Sequence, residues 1–200
     1  MAINIGIILG TVRSNSLGKR IFDFLKNSES ETEEYHFTWI NLKDYPLPLY
    51  NHEETPLEGN LSGLNKVESK WLDIIKQQDG YIIMSPEYDH AIPGGLKNAL
   101  DFIGPEVESK PVQIVTYSYY SDGGMLAASS LVPILQMLKM IVLPTPLLLW
   151  NANDNFSEDG QLLPVKNSDH FEARLNEIFE DIEFYSKVLK ENSRLKRVPN

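Results

Sequence analysis

Three short stretches of this chain gather groups that can do chemistry. They are Gly10-Thr-Val-Arg-Ser-Asn-Ser16, Pro86-Glu-Tyr-Asp-His-Ala-Ile-Pro93 and Ser118-Tyr-Tyr-Ser-Asp-Gly-Gly124. In the first, Gly10 permits a tight turn, and Thr11, Ser14, Asn15 and Ser16 put hydroxyl and amide groups where a helix must begin. Backbone N–H groups at a helix start, together with the helix dipole, favour a bound anion, most often phosphate. Arg13 adds a guanidinium that can hold phosphate oxygens in pairs. On this loop alone a plainer reading has equal weight: Ser14 or Ser16 caps the helix and Arg13 is solvated. Neither Gly-x4-Gly-Lys-Ser/Thr nor Gly-x-Gly-x-x-Gly occurs, which disfavours a nucleoside triphosphate or a dinucleotide held in those loops. In the second stretch, two prolines fix a loop whose backbone amides form a rigid array.

These loops need elements to position them. Runs rich in Ile and Val, at Ile3 to Leu9, Tyr35 to Leu42, Tyr81 to Ser85, Val112 to Tyr117 and Leu147 to Trp150, recur between helical patterns. One pattern runs through Leu17, Ile21, Phe24 and Leu25, and another through Leu61, Leu64, Val67, Trp71, Leu72 and Ile75. The last, through Phe171, Leu175, Ile178, Phe179, Ile182, Tyr185 and Leu189, predicts a helix over about 168–192, with a disordered tail beyond it. The apolar segment Gly123 to Trp150, interrupted by Lys139 and three prolines, reads as a helix, Met125 to Met140, bent at Pro133, followed by a buried strand. Strands apolar on both faces that alternate with helices imply a three-layer α/β fold, a five-stranded parallel sheet with helices on both faces. Ligands of such sheets sit outside the carboxyl ends of the strands. All three loops follow strand ends, so they are expected to converge on one crevice.

Composition narrows the function classes. The 200 residues, 42% hydrophobic and 23% charged with 12 Gly and 12 Pro, suit one folded domain rather than a disordered chain. With 18 Lys+Arg against 28 Asp+Glu the net charge is −10, which repels a polyphosphate backbone, so no nucleic-acid partner is expected. Cysteine is absent, which removes thiolate nucleophiles and thiol redox chemistry. His36, His52, His90 and His170 lack ligand spacing, so no metal is expected. The apolar start has neither basic residues before it nor a cleavage site after it and reads as a strand; with no membrane span apparent, a cytoplasmic protein is expected.

The stretch Ser85 to Asp101, with Gly10 to Ser16, resembles the NAD(P)H-dependent FMN reductases of flavodoxin-like fold, a family that includes quinone, azo-dye and chromate reductases. The family patterns are Gly-Ser-x-Arg-x-x-Ser and Pro-Glu-Tyr-Asn-x-x-x-Pro-x-x-Leu-Lys-Asn-Ala-x-Asp. The resemblance implies that Thr11, Arg13 and Ser16 hold the FMN phosphate with Asn15 nearby, and that Pro86, Glu87, Tyr88 and Asp89 border the isoalloxazine. Simple loop packing is the alternative for Tyr88 and His90. Lys97, Asn98 and Asp101 match the motif but lie inside a helix, where structural support or a subunit contact is expected. Family members carry a Gly-rich turn after the fourth strand whose amides face the pyrimidine side of the flavin; Ser118 to Gly124 stands there, with Gly123 and Gly124 fitting its end, so the resemblance implies that Ser118 and Gly123 border the cofactor. Tyr119 and Tyr120 stand where small residues are usual, and either line the pocket or close it. Asp89 replaces the usual Asn, and its carboxylate is expected to tune the flavin rather than abolish binding. The loop from Asp44, with Pro46-Leu-Pro-Leu-Tyr50, resembles a family segment near the active site.

The implied activity is hydride transfer from NADPH or NADH to flavin N5, then to a quinone, azo compound, metal oxyanion or free flavin in a ping-pong sequence, with no side chain as nucleophile. A homodimer or homotetramer is implied as well. Two other functions suit the same residues: a flavodoxin-type electron carrier, and a flavin-free sensor or binding module whose crevice Tyr119 and Tyr120 fill.

Overall fold

Strands apolar on both faces must be covered on both sides, and the sequence supplies the covers. In the computed structural model, which describes residues 2–29, 31–59 and 61–192, the sheet is built from β1 (Ile3–Leu9), β2 (Tyr35–Asn41), β3 (Gly80–Pro86), β4 (Pro111–Tyr117), β5 (Ile141–Val142) and β6 (Leu147–Leu149). The helices are α1 (Leu17–Ser28), α2 (Lys66–Lys76), α3 (Gly94–Asp101), α4 (Met125–Met137), a single turn α5 (Ala152–Asn155) and α6 (Ser168–Glu191). Every residue of β3 and β4 is buried. One face packs Ile5, Ile7 and Val115 against Ile21 and Leu25 of α1 and Phe171, Ile178 and Ile182 of α6. The other packs Ile8, Ile83 and Ile114 against Trp71 and Ile75 of α2, Leu96 and Leu100 of α3, and Leu131 and Leu135 of α4. Trp71, fully buried, satisfies its indole N–H by donating to the Ala99 carbonyl at 3.0 Å, which ties α2 to α3.

All pairings are parallel, in the order β2-β1-β3-β4-β5, with β6 also on β4. The winding reverses between β1 and β3, and a crevice therefore opens outside their carboxyl ends. The expected fifth strand differs. Its place is shared by β5, which pairs with Pro111 and Val112, and β6, which pairs with Val115, Thr116 and Tyr117. Pro144 and Pro146 lie between the two and lack the N–H groups that a continuous edge ladder needs, and Thr145 is turned to φ +57°. The sheet is thus six-stranded, and Trp150 falls outside it. Helix α4 includes Pro133 as expected but ends at Met137, where Lys139 at φ +56° turns the chain. Helix α6 keeps its expected start; the expectation of a disordered tail falls beyond Asn192, outside the described residues. No helix among the described residues is long and apolar enough to cross a membrane.

Candidate functional site

The three strand-end loops converge on one cleft of about 190 Å³, lined by Thr11, Arg13, Ser16 and Leu17 from the first, Pro86, Glu87 and Tyr88 from the second, and Tyr117, Ser118, Tyr119 and Tyr120 from the third. Gly10 makes the first loop possible: a Cβ there would lie 2.8 Å from the Met84 carbonyl and 2.7 Å from Leu96. The Gly10 N–H donates to that same carbonyl, so the chain leaves β1 pressed against β3. Ser16 is the N-cap of α1, its Oγ accepting from the Lys19 N–H at 3.1 Å. The hydroxyl proton of Ser16 is left over, so capping and anion binding are compatible roles. Thr11, 2% exposed, accepts from the Arg13 N–H at 3.3 Å and lies 3.4 Å from the Tyr88 hydroxyl.

Arg13 is the informative cation. The Tyr88 hydroxyl beside its guanidinium raises its pKa, and the other groups acting on it electrostatically are Tyr119 and Tyr117. No carboxylate forms an ion pair with it among the described residues. In a chain of net charge −10, this arginine is an exposed cation whose charged-group surroundings are phenols rather than carboxylates.

The second loop makes a tight turn in which the Tyr88 and Ala91 backbones exchange hydrogen bonds at 2.9 Å. Both central residues, Asp89 (φ +49°) and His90 (φ +63°), are left-handed, a conformation that Asp tolerates better than most residues. Asp89 therefore sits exposed at the turn tip, and it is not among the residues lining the cleft. Asn15 also lies outside the lining, exposed on its loop between Ser14 and the cap. Ser14 turns the other way, accepting from the Lys43 ammonium at 2.8 Å.

Glu87 does more than border the cleft. Its side chain is 8% exposed, and Oε2 accepts from the N–H groups of Leu126 (2.9 Å) and Ala127 (3.1 Å) in the first turn of α4. Its other oxygen lies 3.2 Å from His90 Nδ1. The carboxylate thus caps α4 from another loop and fixes the second loop against the third. The third loop is fastened by Asp122, whose Oδ1 accepts from the Ser118 hydroxyl (2.6 Å) and the Gly124 N–H (3.2 Å). These bonds, the one from Ser118 above all, hold Asp122 below its ordinary pKa. Gly123 (φ +62°) is pressed closely against β6, since a Cβ there would lie 2.8 Å from Leu148. Tyr119 and Tyr120, 56% and 76% exposed, line the rim and leave the cleft open.

Two residues of this site escaped sequence reasoning. Asp122 does its work by local hydrogen bonding, and Tyr117 reads as an inward residue of a buried strand. Asn98 proves structural, as expected: its Nδ2 donates to the Pro48 carbonyl (2.8 Å) and its Oδ1 accepts from the Tyr50 N–H (2.9 Å), which anchors the Pro46–Tyr50 segment to α3. Lys97 pairs with Asp101 on the same helix.

Residues 3–154, from β1 to α5 and including all three loops, match the family model of the NADPH-dependent FMN reductases. The chain belongs to that family. It is an oxidoreductase of flavodoxin-like fold, and the arginine loop and proline-framed turn fall within the matched segment. A Nectria protein described as an NAD(P)H-dependent FMN reductase is 35% identical over 152 residues, covering 72% of this chain and 74% of its own. The quinone reductase of Escherichia coli is 30% identical over 143 residues, 68% of this chain and 74% of its own. Among solved structures, the flavoenzyme NAD(P)H:(acceptor) oxidoreductase FerB from Paracoccus denitrificans superposes with a TM-score of 0.69 at 20% identity, covering 95% of this reductase and 98% of that chain. Helix α6 lies beyond the family match and, with α1, covers one sheet face of this reductase.

Proposed function

We propose that the cleft binds FMN with its phosphate in the first loop, held by Arg13, Thr11, Ser16 and the start of α1, and its ring against Pro86, Glu87, Tyr88 and the Ser118–Gly124 loop. The observation that carries this reading is Arg13, set among hydroxyls without a carboxylate partner at the one crevice where the sheet's winding reverses. The donor set fits a phosphate: a guanidinium, two hydroxyls and open backbone N–H groups, all of which donate. Bound there, FMN supplies hydride exchange between a reduced nicotinamide and an acceptor. The chain's own residues bind and orient the reactants, and none acts as nucleophile. The exposed phenols of Tyr119 and Tyr120 offer a rim for a flat acceptor such as a quinone, the substrate class in the name of the Escherichia coli relative. NADPH or NADH leaves before the acceptor enters over the same ring, so the kinetics are ping-pong. Met125, Leu126 and Met137, exposed on α4, form the packing face of a homodimer.

Initial rates of NADPH and NADH oxidation, measured at several quinone concentrations with FMN present, test the reading. Parallel double-reciprocal lines are expected. Intersecting lines refute the shared site, and no oxidation of either nicotinamide refutes the activity.

A further inference from the structure

We propose that the Tyr117 hydroxyl is a ligand of the FMN phosphate, donating to it from the floor of the cleft at the first turn of α1. The proposal rests on the reading of the cleft as the FMN site. Tyr117 ends β4, in register with Pro86 on one side and Leu149 on the other, and it lines the same cleft as Thr11, Arg13, Ser16 and Leu17. The residue is 3% exposed, and its hydroxyl is buried without a hydrogen-bond partner. The position of that oxygen is fixed by its neighbour, since a Cβ on Gly18 would lie 1.8 Å from it. It therefore sits against the opening turn of α1, where the N–H groups of Leu17 and Gly18 have no preceding turn to accept them and the Ser16 cap serves Lys19 instead.

A helix start and a buried, unpartnered phenol thus converge from different elements on one point. What they share is donors: among the described residues the Tyr117 hydroxyl has no hydrogen-bond partner and no ion pair holds Arg13, while Thr11 and Arg13 have only the Tyr88 phenol beside them. Buried donors without acceptors are costly, and a phosphate brings three strong acceptor oxygens. Burial holds the phenol far above its ordinary pKa, so it remains a donor at any working pH. The same burial hides the role in the sequence.

The test is Tyr117→Phe, which keeps the ring and removes only the hydroxyl. FMN and riboflavin, which differ by the phosphate, are titrated into the wild type and the variant, and the ligand-free melting temperature is measured for both. The expected result is FMN affinity reduced about tenfold or more, as for a lost hydrogen bond to a charged acceptor. Riboflavin affinity is unchanged, and the ligand-free variant melts no lower than the wild type because an unpaired buried hydroxyl has gone. An FMN-to-riboflavin affinity ratio equal to that of the wild type overturns the assignment of Tyr117 while leaving the FMN site in place. A wild type that prefers FMN no more than riboflavin overturns the phosphate reading of the cleft as well.

Discussion

Replacing Glu87 separates its geometry from its charge. The carboxylate accepts two N–H groups in the first turn of α4, Leu126 at 2.9 Å and Ala127 at 3.1 Å, from a side chain only 8% exposed. In Glu87→Ala both donors lose their acceptor. Leu126 is 41% exposed and water can replace the bond there, whereas Ala127 is fully buried and its N–H is left unpaired. Loss of a capping acceptor costs about 1 kcal/mol, and an orphaned buried donor about 1–3 kcal/mol, so a loss of about 2–3 kcal/mol is expected. For a chain of this size, that lowers the melting temperature by roughly 5–10 °C. Glu87→Gln keeps an acceptor oxygen and loses only the attraction between the charge and the helix dipole, about 0.5–1 kcal/mol. Urea denaturation of the three proteins without ligand should rank them wild type, Gln, Ala. A Glu87→Ala protein within 0.5 kcal/mol of wild type, on the scale of a neutral surface change, would refute the capping role, and a Gln variant as weak as the Ala variant would show that charge alone matters.

Arg13→Ala should weaken FMN about ten- to a hundredfold and leave riboflavin unchanged, as read by flavin fluorescence; an equal loss for both ligands would put the phosphate elsewhere. Burial is the main cause that lowers Lys110 from 10.5 to about 8. Between those values the unfolded chain holds a proton that the folded chain has released. Wild-type stability therefore rises relative to Lys110→Met as pH climbs from about 8 to about 10.5, and a stability difference flat across that window contradicts the shift. Gly18→Ala gains about 1 kcal/mol of helix propensity, but its Cβ meets the Tyr117 hydroxyl at 1.8 Å, so a net loss of about 1–3 kcal/mol is expected in urea titration. A neutral or stabilised variant would mean that Tyr117 moves freely.

The elements that chemistry depends on were legible where burial enforces a pattern. Strands β1, β3 and β4 carry their Ile and Val runs because both faces are covered, and α6 shows its period because one face is wet. The fifth strand was not legible as it stands: Leu147–Leu149 reads as a strand, but its division from Ile141–Val142 follows from Pro144 and Pro146, which deny donors to an edge whose position only the fold defines. Loop residues were readable where backbone chemistry dictates the type, as with Gly10 and the Ser16 cap. Glu87 was placed in the cleft, yet its partners Leu126 and Ala127 lie on another element, and no local pattern announces a cap so distant in sequence. Asp89 has a role the sequence does not announce, since the turn holds it left-handed, a backbone that Asp tolerates. Tyr119 and Tyr120, which the sequence leaves open as liners or plugs, stand exposed at the rim of the cleft, on the loop that Asp122 fastens.

Titrating the purified chain with FMN and following the quenching of flavin fluorescence decides whether the cleft of Arg13, Tyr88 and Tyr117 is a mononucleotide site. Saturable, stoichiometric binding tighter than about 100 μM, or roughly 5.5 kcal/mol, is expected, with a yellow protein after removal of excess ligand. A colourless protein with no saturation up to that concentration would contradict it.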